Sequence, residues 1–224
     1  PVDSSTGTLD LAAFRRMAEG IGSRLAAVVF PQVSNLGNLE DVDALSDLAR
    51  ELKVRSIAVV DPILLGEGSL KPPRDFGQGG TDMFVAEGQH LAIGPNFGGP
   101  GLGIFGIRFN EACKNDIRQT AGRYVGKGRD VNGRNAYSIG RSTREQHIPR
   151  EKATSNICSN QAYIATVAGA ALLERGGEGV SESARLAREN ALSMAKRLSR
   201  FAGVELAFPR SAFFNEFTLS LPLP

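Results

Sequence analysis

Two short apolar segments with one helix-period stretch between them constrain this chain more than anything else in it. LAAVVF (Leu25 to Phe30) and SIAVVD (Ser56 to Asp61) are nearly continuous apolar runs, the pattern of strands buried on both faces. Between them, after the turn-rich PQVSNLGN, Val42, Leu45, Leu48 and Leu52 recur at helical spacing. Parallel strands need a long crossover connection, so strand, helix, strand in this order predicts a right-handed parallel unit of an α/β sheet.

The remaining elements extend that unit. Asp10 as N-cap, followed by Leu11, Phe14 and Met17 on one face, predicts an opening helix. After a Gly/Pro-containing loop from Ile63 to Gly80, DMFVAE (Asp82 to Glu87) reads as a short strand. The glycine-rich GPNFGGPGLG (Gly94 to Gly103) leads into another strand, LGIFGIRF, ending near Phe109. A short helix is expected from Asn110 to Gln119. YVGKGRDVNGRNAYSI then reads as a hairpin with Asn132-Gly133 near its turn. Helices are expected from about Ser159 to Glu174 and from about Ser181 to Phe201, the second with Ala184, Leu186, Leu192 and Leu198 among its apolar positions. VELAF (Val204 to Phe208) and FFNEFTLSL (Phe213 to Leu221) read as strands. Parallel α/β first, then helices with antiparallel strands, predicts two lobes, 1–115 and 116–224, meeting between Phe109 and Arg123.

With 42% hydrophobic and 22% charged residues, the composition is that of an ordinary soluble globular chain, and no apolar run is long enough to span a bilayer. No signal peptide is expected, because the first apolar stretch sits in an amphipathic pattern. The start at Pro1, running at once into a helix signal, and the abrupt LPLP end look like a piece of a longer protein. Cys113 and Cys158 form neither a disulfide framework nor metal spacing, so a reducing, cytoplasmic setting is expected. From Lys114 to Lys152 there are ten Lys/Arg against four Asp/Glu. That surface is solvated, or it steers an acidic partner or an anion. It carries few aromatics and no nucleic-acid module, so nucleic acid is not expected as a partner.

Gly101-Leu102-Gly103-Ile104-Phe105-Gly106 has the form G-x-G-x-x-G. A dinucleotide site needs those glycines after a strand and before a helix, whereas here they lead into a strand. Close backbone approach or a tight turn is the expected use. The two histidines, His90 and His147, have no second imidazole or cysteine at ligand spacing, so no metal site is expected. His147 is a polar loop residue or a contact to substrate or partner. Cys158 reads as a packing residue at a helix start, where the terminus can lower a thiol pKa.

The densest motif is TREQHIPREKATSNICSNQA, Thr143 to Ala162. It gathers hydroxyls, amides and charges where the chain enters an apolar helix pattern, an arrangement suited to an anion. This string closely resembles a signature of the glycine decarboxylase P-protein family, specifically subunit 1 of the split form or the N-terminal half of the single-chain form. TGTLDL, VVDP with LKPP after it, the EGQ stretch with NFGGPGLG, GRYVG and FFNEF agree in the same order. Two departures stand out. The family usually reads GEGQPLG where this chain has Ala86-Glu87-Gly88-Gln89-His90-Leu91-Ala92, and Cys113 to Gln119 is divergent.

The resemblance implies an α/β fold of the aspartate-aminotransferase kind (fold type I of the pyridoxal-phosphate-dependent transferases). Residues 1–115 are then the C-terminal part of its large domain, and 116–224 its small α+β domain. It implies a heterotetrameric glycine cleavage enzyme in which pyridoxal phosphate decarboxylates glycine and the aminomethyl group passes to the lipoyl arm of the H protein. The cofactor lysine belongs to subunit 2. Gln89 stands at the lysine's position here, and an amide cannot form an imine. Lys71, next to two prolines, and Lys152, far along the chain, are poor substitutes, so a separate enzyme using either is disfavoured. Asp61, at the carboxyl end of its strand, either pairs with a pyridine nitrogen as in that fold or caps a loop. Ala153-Thr154-Ser155-Asn156 resembles a phosphate-contacting Gly-Thr turn. Thr154, Ser155 and Asn156 therefore either reach the phosphate held by the partner subunit or cap the helix. A non-catalytic interaction module of the same fold is the alternative function.

Overall fold

Strand β1 (Ala27–Pro31) and strand β2 (Arg55–Val59) pair in parallel through helix α2 (Val42–Glu51), as the periodicity predicts. The computed structural model describes residues 1–120, 125–139, 150–152 and 160–222. Strand β3 (Met83–Glu87) adds in parallel to β2, and β4 (Gly103–Ile107) closes the sheet antiparallel to β3, in the order β1-β2-β3-β4. Helix α1 (Leu11–Ile21) starts at Asp10, whose side chain accepts from the Ala13 amide. Asp41 caps α2 in the same way through the Ala44 amide.

One face of the sheet carries the core. Val28, Phe30, Ala58 and Val60 pack against Val42, Leu45 and Ala49 of α2 and against Phe76, with Leu11 and Phe14 of α1 beside them. Complete burial of a side chain such as Phe30 or Leu45 contributes about 1.5–3 kcal/mol. The opposite face presents two transverse rows in register, Val29-Ile57-Met83-Ile107 and Pro31-Val59-Val85-Phe105. Of these, Val29 is 56% exposed and Phe105 49%.

The chain divides into two compact units, Pro1–Arg108 with Ile164–Pro224, and Phe109–Tyr163. Residues from Ile164 onward fold back onto the N-terminal segments. The Ser211 hydroxyl donates to the Thr6 carbonyl, and the Thr218 hydroxyl to that of Leu36. Gly37 (φ +82) sits directly under this return. A Cβ there would fall 2.5 Å from the Glu216 backbone.

The expected C-terminal strands are shorter than their alternation implies, β7 covering Glu205–Leu206 and β8 Leu219–Ser220. Residues 213–218 spend their polar groups elsewhere. Phe213 bridges to Asn38, and Arg188 donates to the carbonyls of Phe213 and Phe214 (3.0 Å for the latter) while stacking on both rings. The two expected helices meet directly as α4 (Asn160–Leu198), separated by a break at Gly176, where φ is +62. Its buried stripe in the second half is Ala184, Ala191 and Ala195. Leu186 and Leu192 face solvent.

In the second unit, Cys113 is buried ahead of the short helix α3 (Lys114–Gln119). Strands β5 (Val125–Arg129) and β6 (Asn135–Ile139) form the expected hairpin, with Gly133 at φ +76 in its turn. Asp130 ties that turn by accepting from the amides of Asn132 and Arg134. Among the described residues, no helix is long and apolar enough to cross a membrane.

Candidate functional site

Strands β2 and β3 are parallel neighbours, so the residues that follow each emerge at the same edge of the sheet. In open α/β sheets this carboxyl edge is where ligands bind. From β2 comes Asp61, which caps the 3₁₀ turn Pro62–Leu65, its Oδ1 accepting from the Ile63 amide at 3.0 Å. The loop-capping role is therefore present. From β3 come Glu87 and Gly88, then the 3₁₀ turn Gln89–Leu91. Gly88 packs so tightly that a Cβ would lie 2.6 Å from Ile104 Cδ1.

This edge is held by side chains. Glu87 Oε1 accepts from the amides of Leu102 (2.7 Å) and Gln89 (2.8 Å). Those two N–H groups, Leu102's foremost, keep the Glu87 carboxyl below its usual range. Gln89 Nε2 donates to the carbonyls of Gly94 (3.3 Å) and Pro95 (3.2 Å). His90 Nε2 lies 2.9 Å from Asp61 Oδ1, joining the turn after β3 to the end of β2. A cavity of about 370 Å³ opens beside them, lined by Glu87 to Pro95 (Gly88 excepted) and by Arg175 of α4.

The described residues of this edge do not fit covalently held pyridoxal phosphate. Gln89 offers an amide already hydrogen-bonded to two carbonyls, and Asp61 is engaged by His90. Lys71 is no substitute, because its Nζ sits 2.5 Å from Asp43 Oδ2 in an ion pair. Lys152 closes the 3₁₀ turn Arg150–Lys152 in the other unit. Of the G-x-G-x-x-G glycines, Gly106 shows the expected close approach, since a Cβ there would lie 2.1 Å from the Phe84 ring, whereas Gly103 opens β4 with open space at its Cβ position.

A larger cavity, about 480 Å³, lies at the amino end of β3, against Asp82, Met83 and Ile107. Its Arg108 donates to the carbonyls of Thr81 and Arg74. It is mostly apolar and stands away from the carboxyl edge.

Residues 140–149 and 153–159 fall outside the described residues, and with them His147, Thr154, Ser155, Asn156 and Cys158. Among the described residues no group of three or more His, Cys, Asp or Glu could hold a metal ion. Sequence reading singled out Asp61, Gln89 and His90 but not the bond between Asp61 and His90. It also missed Glu87 and Arg175. A carboxylate closing a strand just before glycine marks Glu87, whereas nothing local marks Arg175.

Comparison with known proteins places this edge in context. Residues 8–222 match the family model described as Glycine cleavage system P-protein. A probable glycine dehydrogenase (decarboxylating) subunit 1 of Methylococcus capsulatus is 41% identical over 201 residues, covering 90% of this chain and 43% of the relative. The subunit 1 of Nitrosomonas europaea is 37% identical over 225 residues, covering 100% and 47%. The chain thus spans about half the length of the curated relatives it matches. A crystal structure of glycine decarboxylase (P-protein) of the glycine cleavage system, in inhibitor-bound form, superposes with a TM-score of 0.81 at 34% identity, covering 100% of this chain and 46% of that one. A sphingosine-1-phosphate lyase of Burkholderia pseudomallei shares the fold at 18% identity and TM-score 0.61, covering 99% of this chain and 45% of its own.

Proposed function

From the premise that this chain belongs to the glycine cleavage system P-protein family, we propose that it is a portion of a glycine dehydrogenase (decarboxylating) that does not carry the cofactor lysine. Its fold is part of a fold type I transferase domain. In this reading it pairs with a lysine-bearing subunit 2, which binds pyridoxal phosphate covalently, and the assembly is a cytoplasmic heterotetramer. The assembly takes glycine, releases its carboxylate as carbon dioxide and passes the aminomethyl group to the lipoyl arm of the H protein. The cofactor ring supplies an electron sink on the partner.

The observation that carries this assignment is the state of Gln89. Its amide is committed to the Gly94 and Pro95 carbonyls, so it shapes a loop where a catalytic half needs an amine. This chain then acts by completing the partner's site. Thr154, Ser155 and Asn156 are the residues proposed to reach the phosphate on the partner subunit. The division into a large-domain part, 1–115, and a small domain, 116–224, belongs to the same proposal.

Glycine–bicarbonate carboxyl exchange tests it. Exchange is expected when the lysine-bearing subunit is mixed with the family protein containing this sequence, and not from the lysine-bearing subunit alone. Exchange by that subunit alone reduces this chain to an interaction module and overturns the assignment. Thr154→Val in the assembled enzyme is expected to weaken cofactor retention, and unchanged retention removes Thr154 from the site.

A further inference from the structure

The loop that leaves β3 at the carboxyl edge breaks a local rule. Asn96 (φ +44) and Phe97 (φ +57) are consecutive left-handed residues ahead of Gly98 (φ +97). Asparagine and glycine tolerate that backbone, whereas a bulky side chain there is strained. Phe97 gains no burial in return, because it is fully exposed. A turn built for its backbone alone suits glycine or asparagine at this position, so the ring serves a contact outside this chain.

The base of the loop is fixed. Gln89 Nε2 donates to the carbonyls of Gly94 and Pro95, the Gly98 amide donates to the Pro95 carbonyl at 2.8 Å, and Glu87 holds the Leu102 amide. A side chain presented on backbone that is already ordered loses little entropy on docking. No residue from Leu91 to Ile107 is charged. That suits the desolvated centre of a protein interface, where aromatic anchors fill pockets and charge is depleted. It does not suit a membrane surface, because the loop lacks the basic residues that attract anionic headgroups.

Strands add beside a sheet and helices cover its faces, so further parts of the same domain pack on its flanks. A loop at the carboxyl edge is left open to another chain. We propose that Phe97 is the anchor that docks this protein onto the lysine-bearing subunit, its ring filling an apolar pocket of that partner. The inference rests on the reading of this chain as the half without the cofactor lysine, and adds to it a residue that holds the two halves together.

The test uses the full-length family protein that contains this sequence, mixed with the lysine-bearing subunit. Benzoylphenylalanine in place of Phe97 is expected to photo-crosslink to that subunit. Phe97→Asn relieves the left-handed strain, so the unmixed protein is expected to melt at the same temperature or higher. Its Kd for the lysine-bearing subunit is expected to rise about tenfold or more, a difference of about 1.4 kcal/mol. Those opposite signs separate an anchor from a residue of the fold. Crosslinks confined to the protein itself or to a second copy of it overturn the proposal, and so does a lower melting temperature in Phe97→Asn. If the unaltered protein pairs with the lysine-bearing subunit and Phe97→Asn pairs equally well, the anchor alone falls. If the unaltered protein does not pair at all, the reading of this chain as the partner half falls with it.

Discussion

His90 Nε2 and Asp61 Oδ1 stand 2.9 Å apart, a bond that ties the turn after β3 to the end of β2 across the ligand edge of the sheet. Both side chains are partly exposed, 43% and 36%, so solvent screens the pair. His90→Ala is therefore expected to lower unfolding free energy by less than about 1 kcal/mol in urea titration. A loss of several kcal/mol shows that the bond organises the edge beyond its own contact.

Gly37 offers a harsher test. Its φ of +82 disfavours any side chain, and a Cβ there would collide with the Glu216 backbone. Left-handed strain and overpacking together predict that Gly37→Ala destabilises by about 2–4 kcal/mol, measured by thermal or urea unfolding. A near-neutral effect shows that residues 213–218 do not rest on this turn.

Asp43 accepts from Lys71 Nζ and from the Gly77 amide, and the Lys71 bond foremost holds its carboxyl below the ordinary 3.8. A depressed carboxylate stabilises the fold above its unfolded pKa and loses that contribution as pH falls through the folded one. The stability advantage of wild type over Asp43→Asn is expected to be level near neutrality and to shrink below about pH 3.8. Urea midpoints across pH check it, and an advantage that grows toward acid contradicts the assignment.

The bare sheet face predicts association of this chain in isolation. Val85 and Phe105 are register partners on that face, and Val29 and Val59 extend it. Contiguous apolar surface of this kind is buried in native assemblies. Sedimentation velocity is expected to show concentration-dependent association, reduced by Phe105→Lys. A single monomer at every concentration contradicts it.

Incubation with pyridoxal phosphate followed by borohydride reduction is expected to leave no stoichiometric pyridoxyl label on the chain. Gln89 has no amine, and Lys71 is held by Asp43. A labelled lysine in the peptide map sinks the reading of this chain as the non-cofactor partner.

Much of the fold is legible in the residues because its signals are local. Short apolar runs place β1 to β4, period-3.6 spacing places α1 and α2, turn residues place the hairpin, and Asp10 marks its helix start. The runs imply two buried faces, however, and one is exposed at Val29, Val59 and Phe105. Legibility fails where distant groups intervene. FFNEFTLSL alternates like a strand, yet Arg188 and the turn at Asn38 take its polar groups. Leu186 and Leu192 fit a helix pattern, yet the buried positions of that stretch are Ala184, Ala191 and Ala195.

The order of chain letters by itself determined the parallel unit, the membership of the family and the missing amine at position 89, because each is a property of neighbouring residues or of one side chain's chemistry. Only the tertiary structure decided that Asp61 meets His90, that Gln89 caps two carbonyls, and that Glu87 and Arg175 face one cavity. The Asp61–His90 and Glu87–Arg175 pairings join residues from different elements, and they exist only once burial of the shared core has brought the strand ends and α4 together.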